Sequence, residues 1–224
     1  MRYLTLAWAA LWWASSLSAT AQNPAVPPAT SSPASESSRS SSQGSSVPTV
    51  SRKDTYDALD DACWKLGGTH GNSHEAGVAC QKAADYLDEF VPETEIHEKL
   101  SAYLAAAWAL ANSGEALAAR PYAEKAVQAS SKTPDYTFGI GSAYAIRGII
   151  EGNLHELEAS ERDLTQAELF GRQAYKDAVA DHFKGTEMYK HYLMNYLRAH
   201  AALLLALHRD REAKERLDEA LSLQ

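Results

Sequence analysis

Residues 103–126 read YLAAAWALANSGEALAARPYAEKA. Alanine and unbranched side chains dominate on both sides of Asn112-Ser113-Gly114. Such residues lose little freedom on entering a helix, and the Asn-Ser-Gly triplet is a helix-ending signal. The stretch therefore predicts two helices joined by a short turn, which makes them antiparallel neighbours. Ala119, Ala123 and Ala126 recur at intervals of four and three, so they share one face of the second helix. A face of methyl groups lets a facing helix approach closely.

The pattern repeats along the chain. Tyr103, Ala107, Leu110, Gly114, Ala119, Ala123 and Ala126, moved forward by 41, become Tyr144, Gly148, Glu151, His155, Ser160, Leu164 and Ala167. The tyrosine, the small residue and the final alanine persist, whereas Glu151, His155 and Ser160 match poorly. A further copy is Leu197, Ala201, Leu204, His208, Ala213, Leu217 and Ala220. An earlier one ends in Ala76, Cys80 and Ala83, after a helix around Ala58–Leu66. Helix-ending signals fall at Gly67-Gly68-Thr69, Val91-Pro92, Thr133-Pro134, Gly152-Asn153, Gly185 and His208-Arg209-Asp210. The expected fold is all-α, with antiparallel helix hairpins repeated about three to four times.

This spacing resembles the tetratricopeptide repeat. There an aromatic opens helix A, a small residue follows four later, and helix B carries small, large and small residues at intervals of four and three. The resemblance covers about residues 54–224 and implies a TPR-like α-solenoid that binds proteins or peptides. The copies lie 43, 41 and 53 residues apart, against about 34 in the family. The surplus must enter longer helices or loops, especially across residues 168–190. A related helical-hairpin family or a plain helical bundle is the alternative. The resemblance also implies a groove lined by helix A. It would hold Ser101, Leu104 and Trp108 in one repeat, Ser142, Ala145 and Ile149 in the next, and Asn195, Arg198 and Ala202 in the last. Leu104, Ala105 and Trp108 stand where some members carry a carboxylate clamp, which disfavours that mode of binding.

Before the repeats, residues 1–21 have the form of a secretory signal peptide. Arg2 precedes an apolar run from Leu4 to about Leu17, and Ala19-Thr20-Ala21 offers a cleavage pattern before Gln22. The chain is expected to be exported, periplasmic or secreted, and to touch a membrane only through an uncleaved leader. Residues 22–52 are rich in Pro, Ser, Ala and Thr, a composition that cannot bury a core and reads as a disordered linker. The helical repeat domain is expected at 53–224.

Two cysteines, Cys63 and Cys80, stand 17 residues apart on the first helix pair. In an exported chain they are expected to pair as a disulfide stapling the terminal repeat; the alternative is two buried thiols.

The formal net charge is −8. An acidic chain with no basic block argues against nucleic acid, whose phosphates require Lys and Arg, and against an anionic membrane surface as the main partner. His70 and His74 lack the HExxH order and sit among glycines. His182, His191, His200 and His208 are scattered and read as solvated or capping residues. Asp60-Asp61 and Glu156/Glu158 read as a solvated face. Gly139-Ile140-Gly141 lies in a helical stretch with no strand before it, so it is no dinucleotide fingerprint. Tyr189, Tyr192 and Tyr196 form a stripe at helical spacing that reads as core. Neither a catalytic set nor a cofactor or metal site emerges. The expected function is an exported scaffold for protein–protein interaction, not an enzyme, with an unidentified protein or peptide as partner. The rivals are a self-associating structural module that forms a homo-oligomer, and a His-dependent metal binder or hydrolase.

Overall fold

A computed structural model describes residues 52–70, 73–92 and 95–224; among them it contains eight helices and no strand. They are α1 (Arg52–His70), α2 (His74–Phe90), α3 (Ile96–Asn112), α4 (Ala116–Ser130), α5 (Thr137–Asn153), α6 (Leu157–Ala180), α7 (Thr186–Ala206) and α8 (Asp210–Ser222). The leader at 1–21 and all but the last residue of the linker at 22–52 lie outside the described residues. The fold is all-α and repeat-like. No described helix is long and apolar enough to cross a membrane.

The repeat is written most clearly in the turns. Gly114, His155 and His208 all have positive φ, at 87°, 63° and 59°. In each case the next amide reaches back to the helix that has just ended. Glu115 donates to the carbonyl of Leu110, Glu156 to that of Glu151, and Arg209 to that of Leu204, each at 2.9 Å. These are left-handed caps of the kind that satisfy the last carbonyls of a helix. Glycine takes that conformation without strain and histidine does not, so a shared geometry lies beneath unlike residues.

The expected break at Gly67-Gly68-Thr69 is corrected: α1 runs through it to His70. A helical glycine costs about 1 kcal/mol relative to alanine. The fixed packing of α1 against α2 through the buried Cys63 and Cys80 outweighs it. Those two residues form a disulfide, with S–S 2.10 Å and Cα–Cα 4.5 Å.

The small residues do what their spacing implies. Ala119, Ala123, Ala126, Ser160, Leu164, Ala167 and Ala213 are fully covered. Gly148 shows why bulk is excluded. A Cβ there would lie 3.0 Å from Leu164 Cγ and 3.2 Å from its backbone nitrogen. The Ser160 hydroxyl uses that closeness, donating to the Gly148 carbonyl at 2.7 Å.

The surplus length of the last interval enters the helices. α6 has 24 residues where α4 has 15, and α7 has 21 where α5 has 17. Each helix packs on its sequence neighbours, and the odd-numbered helices also touch, α1 on α3, α3 on α5 and α5 on α7. One buried cluster runs from Cys63 in α1 through Leu100 and Leu110 to Ile150 in α5. Another joins α5, α6 and α7 through Ile149, Leu164 and Leu203.

Candidate functional site

The odd-numbered helices carry every residue of the expected groove, but not equally open. On α3, Ser101 is exposed and Leu104 and Trp108 are half-buried. On α5, Ser142, Ala145 and Ile149 are buried. The Ser142 hydroxyl shares a 2.8 Å hydrogen bond with the Tyr196 hydroxyl, and Ile149 packs on Leu164 and Leu203. On α7, Asn195 is buried while Arg198 and Ala202 are half-buried. The accessible part is therefore Ser101, Leu104, Trp108, Arg198 and Ala202.

A second feature on the same helices is a row of aromatic rings. His97 of α3 meets Tyr136 at 5.6 Å between centroids, and Tyr136 meets Phe138 at 5.9 Å. Phe138 of α5 meets Tyr189 at 5.3 Å and Tyr192 at 4.7 Å, both on α7. Phe183, before α7, closes on Tyr189 at 5.8 Å. These are edge-to-face contacts of the kind aromatic quadrupoles prefer. Tyr136, Phe138, Tyr189 and Tyr192 are half-buried, and His97 and Phe183 are exposed. Burial raises the hydroxyl pKa values of Tyr136 and Tyr192. Tyr196 is the exception within the tyrosine stripe. It is a core residue, its ring lying where a Cβ on Gly171 would come within 2.8 Å.

No family model matches the chain, and no curated protein or solved structure matches it. The site therefore rests on its own geometry.

The even-numbered helices present different chemistry. Their backbones approach one another less closely, and long polar side chains cross the gap. Tyr122 of α4 donates to Asp85 of α2 at 2.6 Å, and Lys125 to Asp88 at 2.5 Å. Arg120 of α4 grips Glu156, the cap of α6, through two bonds of 2.7 and 3.0 Å. Arg172 of α6 grips Glu219 of α8 at 2.8 and 2.7 Å. Paired bonds of this kind match the guanidinium fork to the carboxylate.

Beneath that lacing lies a buried charge. Glu168 of α6 accepts from His200 Nδ1 of α7 at 2.7 Å, with Arg172 at 3.1 Å and Arg216 of α8 at 3.5 Å. Burial pushes the Glu168 carboxyl up, but the His200 hydrogen bond and the nearby positive charges outweigh it and hold it below its usual range. His200 is 2% exposed, which corrects its reading as a solvated or capping residue. Its pairing with a residue 32 positions away is invisible along one helix. His182 and His208 do occupy turn positions, with positive φ.

Glu151 and Asp163 are buried acids too, and Glu151 is the one without a close cation. It holds the place of Leu110 and Leu204 in the repeat. Its Oε2 has no hydrogen-bond partner, and burial, reinforced by the Asp163 charge, pushes its pKa up to about 7. Arg147 lies 3.9 Å away but is engaged by Asp163 at 2.5 and 3.0 Å. Among the described residues no group of three or more His, Cys, Asp or Glu is disposed to hold a metal ion.

Sequence reasoning missed the aromatic row because it followed the tyrosines along one helix. The signal lay across copies: the 41-residue shift carries His97 onto Phe138, and the 53-residue shift carries Tyr136 onto Tyr189.

Proposed function

We propose that this chain is an exported, TPR-like scaffold that binds a protein or peptide partner in the cell envelope, and that it is not an enzyme. The observation that carries this reading is the recurrence of one helix-turn-helix unit, with the same left-handed cap at Gly114, His155 and His208. Repeating units that contact mainly their neighbours give an extended surface. Here the odd-numbered helices carry Leu104, Trp108 and Arg198, half-buried, as well as the aromatic row. Trp and Arg are residue types that commonly dominate interface energy. The test is affinity capture from the native envelope fraction, comparing the natural chain with the Trp108→Ala/Arg198→Ala variant. Loss of the same retained proteins, with unchanged helical circular dichroism, is the expected result. Retention by the variant refutes the assignment of this surface.

A second reading, self-association, is favoured by one feature. The outer side of the first helix pair has no further helix on it among the described residues. It carries a shallow apolar groove lined by Leu59, Ala62, Leu66, Val78 and Ala79. A concentration-dependent mass in sedimentation equilibrium would move weight to this reading.

A further inference from the structure

We propose that the proline-rich segment Pro24–Pro33 of this same chain docks on the aromatic row of His97, Tyr136, Phe138, Tyr189 and Tyr192. The inference is independent of the scaffold reading, since it concerns what covers the row and not which partner the chain serves.

The chemistry of the row comes first. Five rings on three helices stand in unbroken contact, at centroid distances of 4.7 to 5.9 Å. They are open enough to receive a ligand, and the hydroxyls of Tyr136, Tyr189 and Tyr192 take no hydrogen bond from the described residues. A surface of aromatic faces interspersed with hydroxyl donors suits a polyproline-type strand. Proline offers a carbonyl acceptor and no amide, and its fixed φ lowers the entropy lost on docking. Residues 24–33 read PAVPPATSSP, with the P-x-x-P spacing at Pro24 and Pro27. No charge occurs between Gln22 and Ser35, so docking desolvates no ion.

Topology supplies the second argument. The described helices begin at Arg52, the first residue of α1. Because successive helices are antiparallel, α1, α3, α5 and α7 run in one direction and their first turns share one edge. The row sits on that edge. His97 is the second residue of α3 and Phe138 the second of α5; Tyr136 caps α5, and Tyr189 and Tyr192 lie in the first two turns of α7. The segment thus joins the helices at the edge where its target lies. The 24 residues from Pro28 to Arg52 can span up to about 80 Å. The row stands two to three helix spacings from α1, about 20 to 30 Å.

The disulfide makes the test clean. Cys63 and Cys80 are bonded and no other cysteine exists, so Ala25→Cys provides one thiol for a nitroxide label on the full exported chain. The expected result is selective loss of most of the NMR signal from Phe138, Tyr189 and Tyr192, sparing Gly114 and His155 at the far ends of the helices. Replacing Pro24, Pro27 and Pro28 with alanine should restore the signal while leaving the helical circular dichroism unchanged. A mixture of label-bearing and isotope-bearing chains should show no loss, which places the contact within one chain. Uniform broadening, broadening that survives the proline replacements, or broadening in the mixture would each overturn the proposal.

Discussion

Replacing Glu151 with leucine should stabilise the fold, and more at pH 8 than at pH 5. The side chain is buried, 9% exposed, in a place that two other copies fill with Leu110 and Leu204. Its pKa stands at about 7 against an ordinary 4.5. A carboxyl with a raised folded pKa binds its proton more tightly in the fold than in the unfolded chain. Its contribution is therefore benign at low pH and becomes a penalty as pH rises from 4.5 through 7. A shift of that size corresponds to at most about 3 kcal/mol at pH 8, and about 2 kcal/mol is expected. Leucine removes the penalty and adds apolar burial. Arg147 keeps Asp163 as its partner, so no cation is stranded. Exchanging a buried ion for a hydrophobe of similar volume is stabilising by about 1 to 4 kcal/mol in comparable cases. Urea denaturation of both proteins at pH 5 and pH 8 measures the difference, and all other titrating groups cancel. A gain at pH 8 that shrinks by about 2 kcal/mol at pH 5 is expected. An equal effect at both pH values, or a loss at pH 8, would show instead that Glu151 is ionised and held by Arg147.

Other substitutions test the turns, the close approaches and the buried pairs. His155→Gly and His208→Gly should each stabilise by about 0.5 to 1 kcal/mol, since a left-handed L-residue costs about 1 to 2 kcal/mol and glycine returns part of it as backbone entropy; Gly114→Ala should lose about 1 kcal/mol in the same thermal melts. Gly171→Ala should lower stability by about 1 to 3 kcal/mol because the new Cβ meets the immobile Tyr196 ring. Gly67→Ala, with nothing within 4 Å of its Cβ, should raise stability by about 0.5 to 1 kcal/mol. Glu168→Ala should cost about 1 to 3 kcal/mol in urea titrations, because it leaves the buried His200 ring nitrogen without its hydrogen-bond partner. Removing the disulfide with Cys63→Ala/Cys80→Ala should cost about 3 kcal/mol by loop-closure entropy, read from the same titrations.

The helical class and the hairpin unit were legible wherever local chemistry and packing agree. Gly114 is both a helix-ending residue and a left-handed cap, so its turn could be read directly. His155 and His208 share the geometry without the residue type. Those turns were placed by the signals beside them, Gly152-Asn153 and His208-Arg209-Asp210, and by the repeat register, with which the burial of Ser160 and Ala213 agrees. The break expected at Gly67-Gly68-Thr69 failed because a propensity cost of this size yields to packing. The destination of the surplus length was open, since helix extension and loop insertion look alike in composition. Among site features, Trp108 and Arg198 fall on accessible odd-numbered helices, while Ser142, Ile149 and Asn195 do not remain open. A position on helix A says which way a residue points, but not what stands in front of it. Glu168 and His200 could not be paired from sequence, because each alone looks like an ordinary solvated residue.

The two sides of the helix array respond oppositely to the solvent. Arg120–Glu156, Arg172–Glu219 and Lys125–Asp88 lace the even-numbered helices across partly exposed gaps. Salt screens such contacts. The odd-numbered helices meet through rings and alkyl groups, which excluded salts such as sulfate press together. The array should then act as a bimetallic strip does with heat, with ionic strength as the variable: one side is expected to loosen as the other tightens, so that the angle between successive hairpins follows the salt around it.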